Sequence, residues 1–128
     1  MYKLISFVRR KPGITKQEFR NYYEEHHSKL GAMFLPPYCI KYLRRYIEPI
    51  RHSMKSNQPP HPEFDCLVEL WFESETACRD FEATVSDPEK TKFIIEDEEK
   101  FVDRENTFRF VLDDHLGWGP PEPGAPMP

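Results

Sequence analysis

Two segments of this chain are apolar on both of their alternating faces, and that requirement constrains the fold more than any other. Tyr2 to Arg9 carries Leu4, Ile5, Phe7 and Val8. Phe64 to Phe72 sets Phe64, Cys66, Val68, Leu70 and Phe72 on one face, with Leu67 and Trp71 on the other. Successive side chains of a strand point to opposite sides, so a strand apolar on both sides must be covered on both. Both segments therefore read as central strands of a sheet with two buried faces.

The remaining elements arrange themselves around this pair. Pro12-Gly13 marks a turn. Thr15-Lys-Gln-Glu18 fits a capping box, in which the Thr15 hydroxyl accepts from the Glu18 amide and the Glu18 carboxylate accepts from the Thr15 amide. Phe19, Tyr22, Tyr23, His26, Leu30 and Met33 follow at spacings of three and four. That pattern predicts one amphipathic helix over Thr15 to Leu30. Gly31 is expected to weaken its end, and Pro36-Pro37 to stop it. Cys39 to Ile47 alternates Ile40, Tyr42, Arg44 and Tyr46 against Lys41, Leu43, Arg45 and Ile47, and its cations suit an edge strand. Pro49 to Pro62 holds four prolines and reads as a long loop. Ser74 is placed to cap a helix in which Ala77, Cys78, Phe81 and Val85 recur at helical spacing. Asp87-Pro88 reads as a second helix start, but the acidic stretch Glu89 to Val102 predicts short, broken pieces. Thr107 to Leu112 is a last strand, with Phe108, Phe110 and Leu112 on one face.

The order is strand, helix, strand, strand, helix, strand. This is an α+β chain of the ferredoxin-like βαββαβ type with a four-stranded antiparallel sheet. Helices cover one face of such a sheet. A partner subunit is the economical cover for the other, so a homodimer is expected. Residues 1–116 form the domain in this reading, and the Pro/Gly-rich segment 117–128 a loose tail.

Composition excludes several function classes. Eighteen Lys and Arg against 22 Asp and Glu give a net charge of −4, without the basic footprint of a nucleic-acid binder. Phe64 to Phe72 also lacks the basic-Gly-aromatic pattern with which ferredoxin-like sheets stack RNA bases. No run approaches the roughly 20 apolar residues of a membrane span, and the N-terminal residues read as a strand rather than a signal peptide. Cys39, Cys66 and Cys78 form no CxxC and sit in apolar periodic segments. They suit buried free thiols in a reducing, cytoplasmic compartment.

His26 and His27 stand out as titratable residues on the first helix. Counting about 100° per residue from Phe19, His26 falls inside the apolar stripe and His27 about 80° off its centre. Helical spacing thus makes His26 the inner residue, packed in the core against a backbone carbonyl. His27, on the flank, can reach a pocket between helix and sheet and exchange a proton near neutral pH. Adjacent helical side chains diverge too far to share an ion readily, and neither Glu24 nor Glu25 completes an HExxH pattern. No metal is expected.

The run Arg9-Arg-Lys-Pro-Gly-Ile-Thr-Lys-Gln-Glu-Phe-Arg-Asn-Tyr-Tyr-Glu-Glu-His-His-Ser-Lys-Leu30 resembles the opening of EthD-domain proteins. That opening is a strand, a basic-Pro-Gly turn, then a helix with Phe, a Tyr pair, Glu and a histidine shortly before a leucine. Matched residue by residue, the family histidine falls on His27. The family often has proline before the leucine, where this chain has Lys29. Phe101-Val-Asp-Arg-Glu-Asn106 is similar to the family's phenylalanine-x-aspartate segment before the last strand.

The resemblance implies a dimeric α+β barrel, in agreement with the doubly apolar strands. It also implies a cofactor-independent polyketide-tailoring enzyme of secondary metabolism: a cyclase, dehydratase or decarboxylase. His27 is then the expected general acid/base on a small aromatic substrate, a role typically worth about 10²–10⁴-fold. Tyr46, Tyr42 and Arg44 share one strand face and are candidate donors to a developing oxyanion, or edge-strand packing and solvation. Asp103 is a candidate for orienting His27 or for a second acid/base role, or a turn residue. Tyr23 is a candidate ligand contact from the helix. His52, with His61, lies on the long loop, to close over a ligand or simply to be exposed. Two other readings stay open: a cofactor-free monooxygenase on an anthrone-like substrate, and a non-catalytic small-ligand-binding dimer.

Overall fold

The computed structural model describes residues 1–48 and 63–122. His52, His61 and the rest of 49–62 lie outside them, as do residues 123–128. Four strands form: β1 (Tyr2–Val8), β2 (Lys41–Tyr46), β3 (Cys66–Phe72) and β4 (Phe108–Leu112). Their order is β2-β3-β1-β4, every neighbouring pair antiparallel. The doubly apolar strands are the central pair, and the cationic β2 is an edge, as expected. Leu4, Ser6 and Val8 of β1 stand opposite Leu70, Val68 and Cys66 of β3. Tyr42, Arg44 and Tyr46 of β2 stand opposite the same three β3 residues. This face receives the helices.

The first helical run joins α1 (Lys16–Tyr22), a wide turn at Tyr23–His27 and α2 (Ser28–Phe34) without a break. Its capping box forms, with the Glu18 amide 3.0 Å from Thr15 Oγ1 and the Thr15 amide 3.4 Å from Glu18 Oε1. Gly31 does not end the run. It makes room for Tyr42, whose ring edge would lie 2.8 Å from a Cβ at this position, and the helical run continues through Phe34, just short of Pro36-Pro37. Ser74 caps α3 (Glu75–Val85) by accepting from the Ala77 amide.

Asp87-Pro88 starts a helix as expected, but the stretch Glu89 to Val102 departs from the broken pieces expected of it. Asp87 caps a single regular helix, α4 (Pro88–Glu98), with proline in its first turn. The fully buried residues of α4 are the polar Thr91 and Asp97, with Ile94 and Ile95 half-buried beside them, so its inner face mixes polar and apolar residues and leaves no clean apolar stripe in the sequence. Thr91 Oγ1 donates to the Asp87 carbonyl at 2.9 Å, inside the helix itself.

Beyond α4 the chain pairs with the extension of β1. The Lys11 amide donates to Phe101 O at 2.8 Å and the Asp103 amide to Arg9 O at 2.8 Å. This drives Phe101 into the core with Phe19, Phe72 and Cys66, the most deeply buried side chains. The opposite sheet face is more open. Phe7 packs edge-on to Phe110, and Phe108 and Phe110 remain exposed. At its other end Lys3 donates to Asp114 and to Glu122, each at 2.5 Å, so part of the segment read as a loose tail is tied to the sheet. Among the described residues no helix is long and apolar enough to cross a membrane. Cys39, Cys66 and Cys78 are buried and free.

Candidate active site

The wide turn decides which histidine faces inward. In a regular α-helix the Ser28 amide would bond to the Glu24 carbonyl; here it reaches Tyr23 O, five residues back. Ser28 Oγ donates to the Glu24 carbonyl thus released, at 2.8 Å. A π turn of this kind inserts one residue without advancing the helix face. His27 therefore sits about 20° from Phe19 rather than about 80° away. The consequence is a correction to the helical-spacing expectation: His27 is 8% exposed, while His26 lies on the outer side, stacked on Tyr22 at 4.8 Å.

His27 Nδ1 lies 2.8 Å from Asp97 Oδ2. Asp97 Oδ1 accepts from Tyr22 Oη at 2.5 Å. An ionised carboxylate only accepts, so this contact uses Nδ1–H and leaves Nε2 of the neutral ring with its lone pair. Nε2 is 3.7 Å from Glu98 Oε1, and Glu98 Oε2 accepts from Arg104 Nε at 3.1 Å. Burial pushes the Asp97 carboxyl upward, but the bonds from Tyr22 and His27, then charge, outweigh it and hold it below the usual carboxylate range. Burial and the same aspartate push Tyr22 up to about 12.

Of these groups His27, Glu98 and Arg104 line a cavity of about 860 Å³ between the helices and the sheet, together with Tyr23, Tyr42, Phe101, aliphatic side chains and further polar residues. Small-molecule sites typically span about 300–1,000 Å³. Tyr42 Oη donates to Tyr23 Oη at 2.8 Å. Two hydroxyls share that one hydrogen bond, so the pair keeps one O–H without an acceptor among the described residues. Burial pushes Tyr42 up to about 12 and Tyr23 well above its ordinary value, so both stay protonated at neutral pH.

The sequence model of the EthD domain matches residues 11–105, most of the chain. The chain belongs to the EthD-domain family. Solved structures agree on the fold. An ethyl tert-butyl ether D (EthD) family protein from Bacillus halodurans superposes with a TM-score of 0.60 at 18% identity, covering 90% of this chain and 99% of its own. A protein from Arabidopsis thaliana superposes with a TM-score of 0.59 at 11% identity, covering 91% and 97%. No curated protein sequence matches.

Within this EthD domain the candidate residues separate. His27, Tyr23 and Tyr42 meet at the cavity wall. Arg44 does not line it; its guanidinium clamps Glu24 through bonds of 2.6 and 3.1 Å. Tyr46 stands behind Tyr23, ring centroids 6.3 Å apart. Its hydroxyl is buried with no hydrogen-bond partner among the described residues. Asp103 heads the short turn Arg104–Asn106 and accepts from Asn106 Nδ2 at 2.9 Å. The carboxylate that orients His27 is Asp97 instead. Asp97 was hidden in the sequence by Glu96, Glu98 and Glu99, from which only tertiary contact distinguishes it. Among the described residues no three His, Cys, Asp or Glu side chains converge as a metal site.

Proposed function

We propose that this EthD-domain protein is a cofactor-independent lyase or cyclase that dehydrates or decarboxylates a small aromatic, polyketide-like intermediate of secondary metabolism, with His27 as general acid/base. The observation that carries the reading is His27 at the wall of the cavity, with Asp97 holding its ring from outside that wall. Asp97 fixes the ring so that a basic nitrogen is available. In dehydration, Nε2 takes the proton from the carbon beside a carbonyl and the electron pair moves to oxygen as an enolate. Collapse of the enolate expels the β-hydroxyl, which leaves as water with the proton the imidazolium returns. In decarboxylation of a β-keto acid, Nε2 takes the carboxyl proton, the carbon–carbon bond breaks to release carbon dioxide as its electron pair moves onto the keto oxygen as an enolate, and the enolate carbon takes that proton back from the imidazolium. The spare O–H of the Tyr23–Tyr42 pair suits the enolate oxygen.

The second sheet face, with Phe108 and Phe110 exposed, is read as the contact to a second copy. The three buried free thiols fit a reducing cytoplasm. The test is product analysis by mass spectrometry on a panel of β-hydroxy and β-keto aromatic acids. Wild type is expected to produce a loss of water or of carbon dioxide, and His27→Ala to lose about 10²-fold or more in rate with its circular dichroism unchanged. An unchanged rate, or a gain of oxygen in the product, overturns the reading.

A further inference from the structure

Arg109 brings a cation to the same cavity from the other edge of the sheet, and the general acid/base scheme does not use it. It lies on β4 opposite Ser6 of β1 and lines the cavity together with Ser6, Phe81 and Glu82. Its Nε donates to Ser6 Oγ at 3.3 Å and its Nη1 to Glu82 Oε1 at 3.4 Å. Its guanidinium carbon is 5.6 Å from the Phe81 ring centre. None of these partners touches His27, whose contacts come from the wide turn, α4 and Phe101. Arg109 therefore marks a separate stretch of wall.

Two features make it a recognition group rather than a structural ion pair. The contact to Glu82 is long, and the two side chains are 41% and 43% exposed; solvent screens such pairs and they contribute little. Arg44 with Glu24, at 2.6 Å, shows what a committed pair looks like in this chain. Nη2 of Arg109 has no partner among the described residues, so the planar fork keeps donors for a carboxylate, the geometry it matches best.

We infer that Arg109, backed by Ser6, anchors a carboxylate of the substrate, so that the ligand class is an aromatic acid whose ring system lies along the apolar wall. The inference rests on reading the cavity as the substrate site. It also narrows the chemistry there. A guanidinium stabilises a carboxylate as a charged ground state, which disfavours its loss as neutral carbon dioxide. The anchored carboxylate is thus retained, and the reacting carbons lie elsewhere along the ligand, toward His27. Dehydration or cyclisation is favoured over decarboxylation of that group.

The test is a titration of 2-naphthoate against its methyl ester, followed by calorimetry, on wild type, Arg109→Gln, Arg109→Lys, Glu82→Gln and His27→Ala. Wild type should prefer the acid by roughly 10- to 100-fold. Arg109→Gln should erase the preference and Arg109→Lys restore part of it. Glu82→Gln, which removes the competing carboxylate, should tighten the acid and leave the ester unchanged. His27→Ala should keep the preference, since it removes the base and not the anchor. An ester bound as tightly as the acid, a preference that survives Arg109→Gln, or binding of neither compound would each overturn the inference. Turnover unaffected by His27→Ala, with the acid preference intact, would instead defeat the general acid/base reading and leave the anchor standing.

Discussion

At the scale of single residues, the two histidines are neighbours in sequence with opposite environments, and exchanging their variants in one assay separates them. His26→Ala removes an exposed ring stacked on Tyr22 and is expected to change stability by no more than about 0.5 kcal/mol, with turnover retained. His27→Ala should lose turnover. Equal effects would contradict the placement. Asp97 carries a pH signature of its own. Its carboxyl is held below the usual range in the folded protein, so the stability it contributes is fully present above its unfolded value of about 4 and is lost as pH falls through the lower folded value. Asp97→Asn is expected to be less stable than wild type by about 1–3 kcal/mol at neutral pH. Urea unfolding across a pH series should show that gap closing below about pH 4. A gap of constant size down to pH 2 would contradict this account.

At the scale of elements, the first helix presents its site through an irregularity. Four-residue spacings link Phe19, Tyr23, His27, Gly31 and Leu35, and all but Gly31 are buried. A regular α-helix drifts about 40° at each such step; the π turn takes up about 100° of the accumulated drift. Ser28 makes that turn tolerable by satisfying the Glu24 carbonyl. Ser28→Ala should therefore cost about 1 kcal/mol and lower turnover as well, because the imidazole shifts when the turn tightens. A loss of stability alone, with the His27 ring resonances unmoved by NMR, would separate the turn from the site. Gly31→Ala tests the same helix from its other end. Alanine gains up to about 1 kcal/mol in helix propensity over glycine, but its Cβ would meet the Tyr42 ring at 2.8 Å, and overpacking typically costs about 1–3 kcal/mol. A net loss in denaturant midpoint is expected; a gain would show that Tyr42 yields without cost.

At the scale of the whole molecule, the sheet divides two tasks between its faces. One face, under the helices, holds the cavity. The other keeps Phe108 and Phe110 in solvent while Lys3, Ile5 and Glu69 on it are buried, and among the described residues Asp114 and Glu122 tie down its end at Lys3. A second copy seated on the open part would complete the burial that the doubly apolar strands call for. Wild type is expected to sediment as a dimer. Phe110→Glu, at an exposed position, should sediment as a monomer with its circular dichroism intact. A monomeric wild type at micromolar concentration would overturn this assembly.

Local chemistry by itself determined the strand faces, three helix starts and the ferredoxin-like order, because alternation, capping residues and proline act over a few residues. Thr15, Ser74 and Asp87 cap where their side chains allow, and the central strands are the two that cannot face water. The family motif likewise pointed to His27. Tertiary structure alone decided the rest. Whether Ser28 bonds its own helix four or five residues back depends on what the inner face must meet, so helical spacing turned the wrong histidine inward. Asp97 became the orienting carboxylate only when α4 packed against His27 and Tyr22. Asp103, the aspartate of the segment similar to the family's phenylalanine-x-aspartate, was drawn instead into a turn with Asn106. The doubly apolar strands call for two covers; the fold supplies the helical one, and the other face still exposes Phe108 and Phe110.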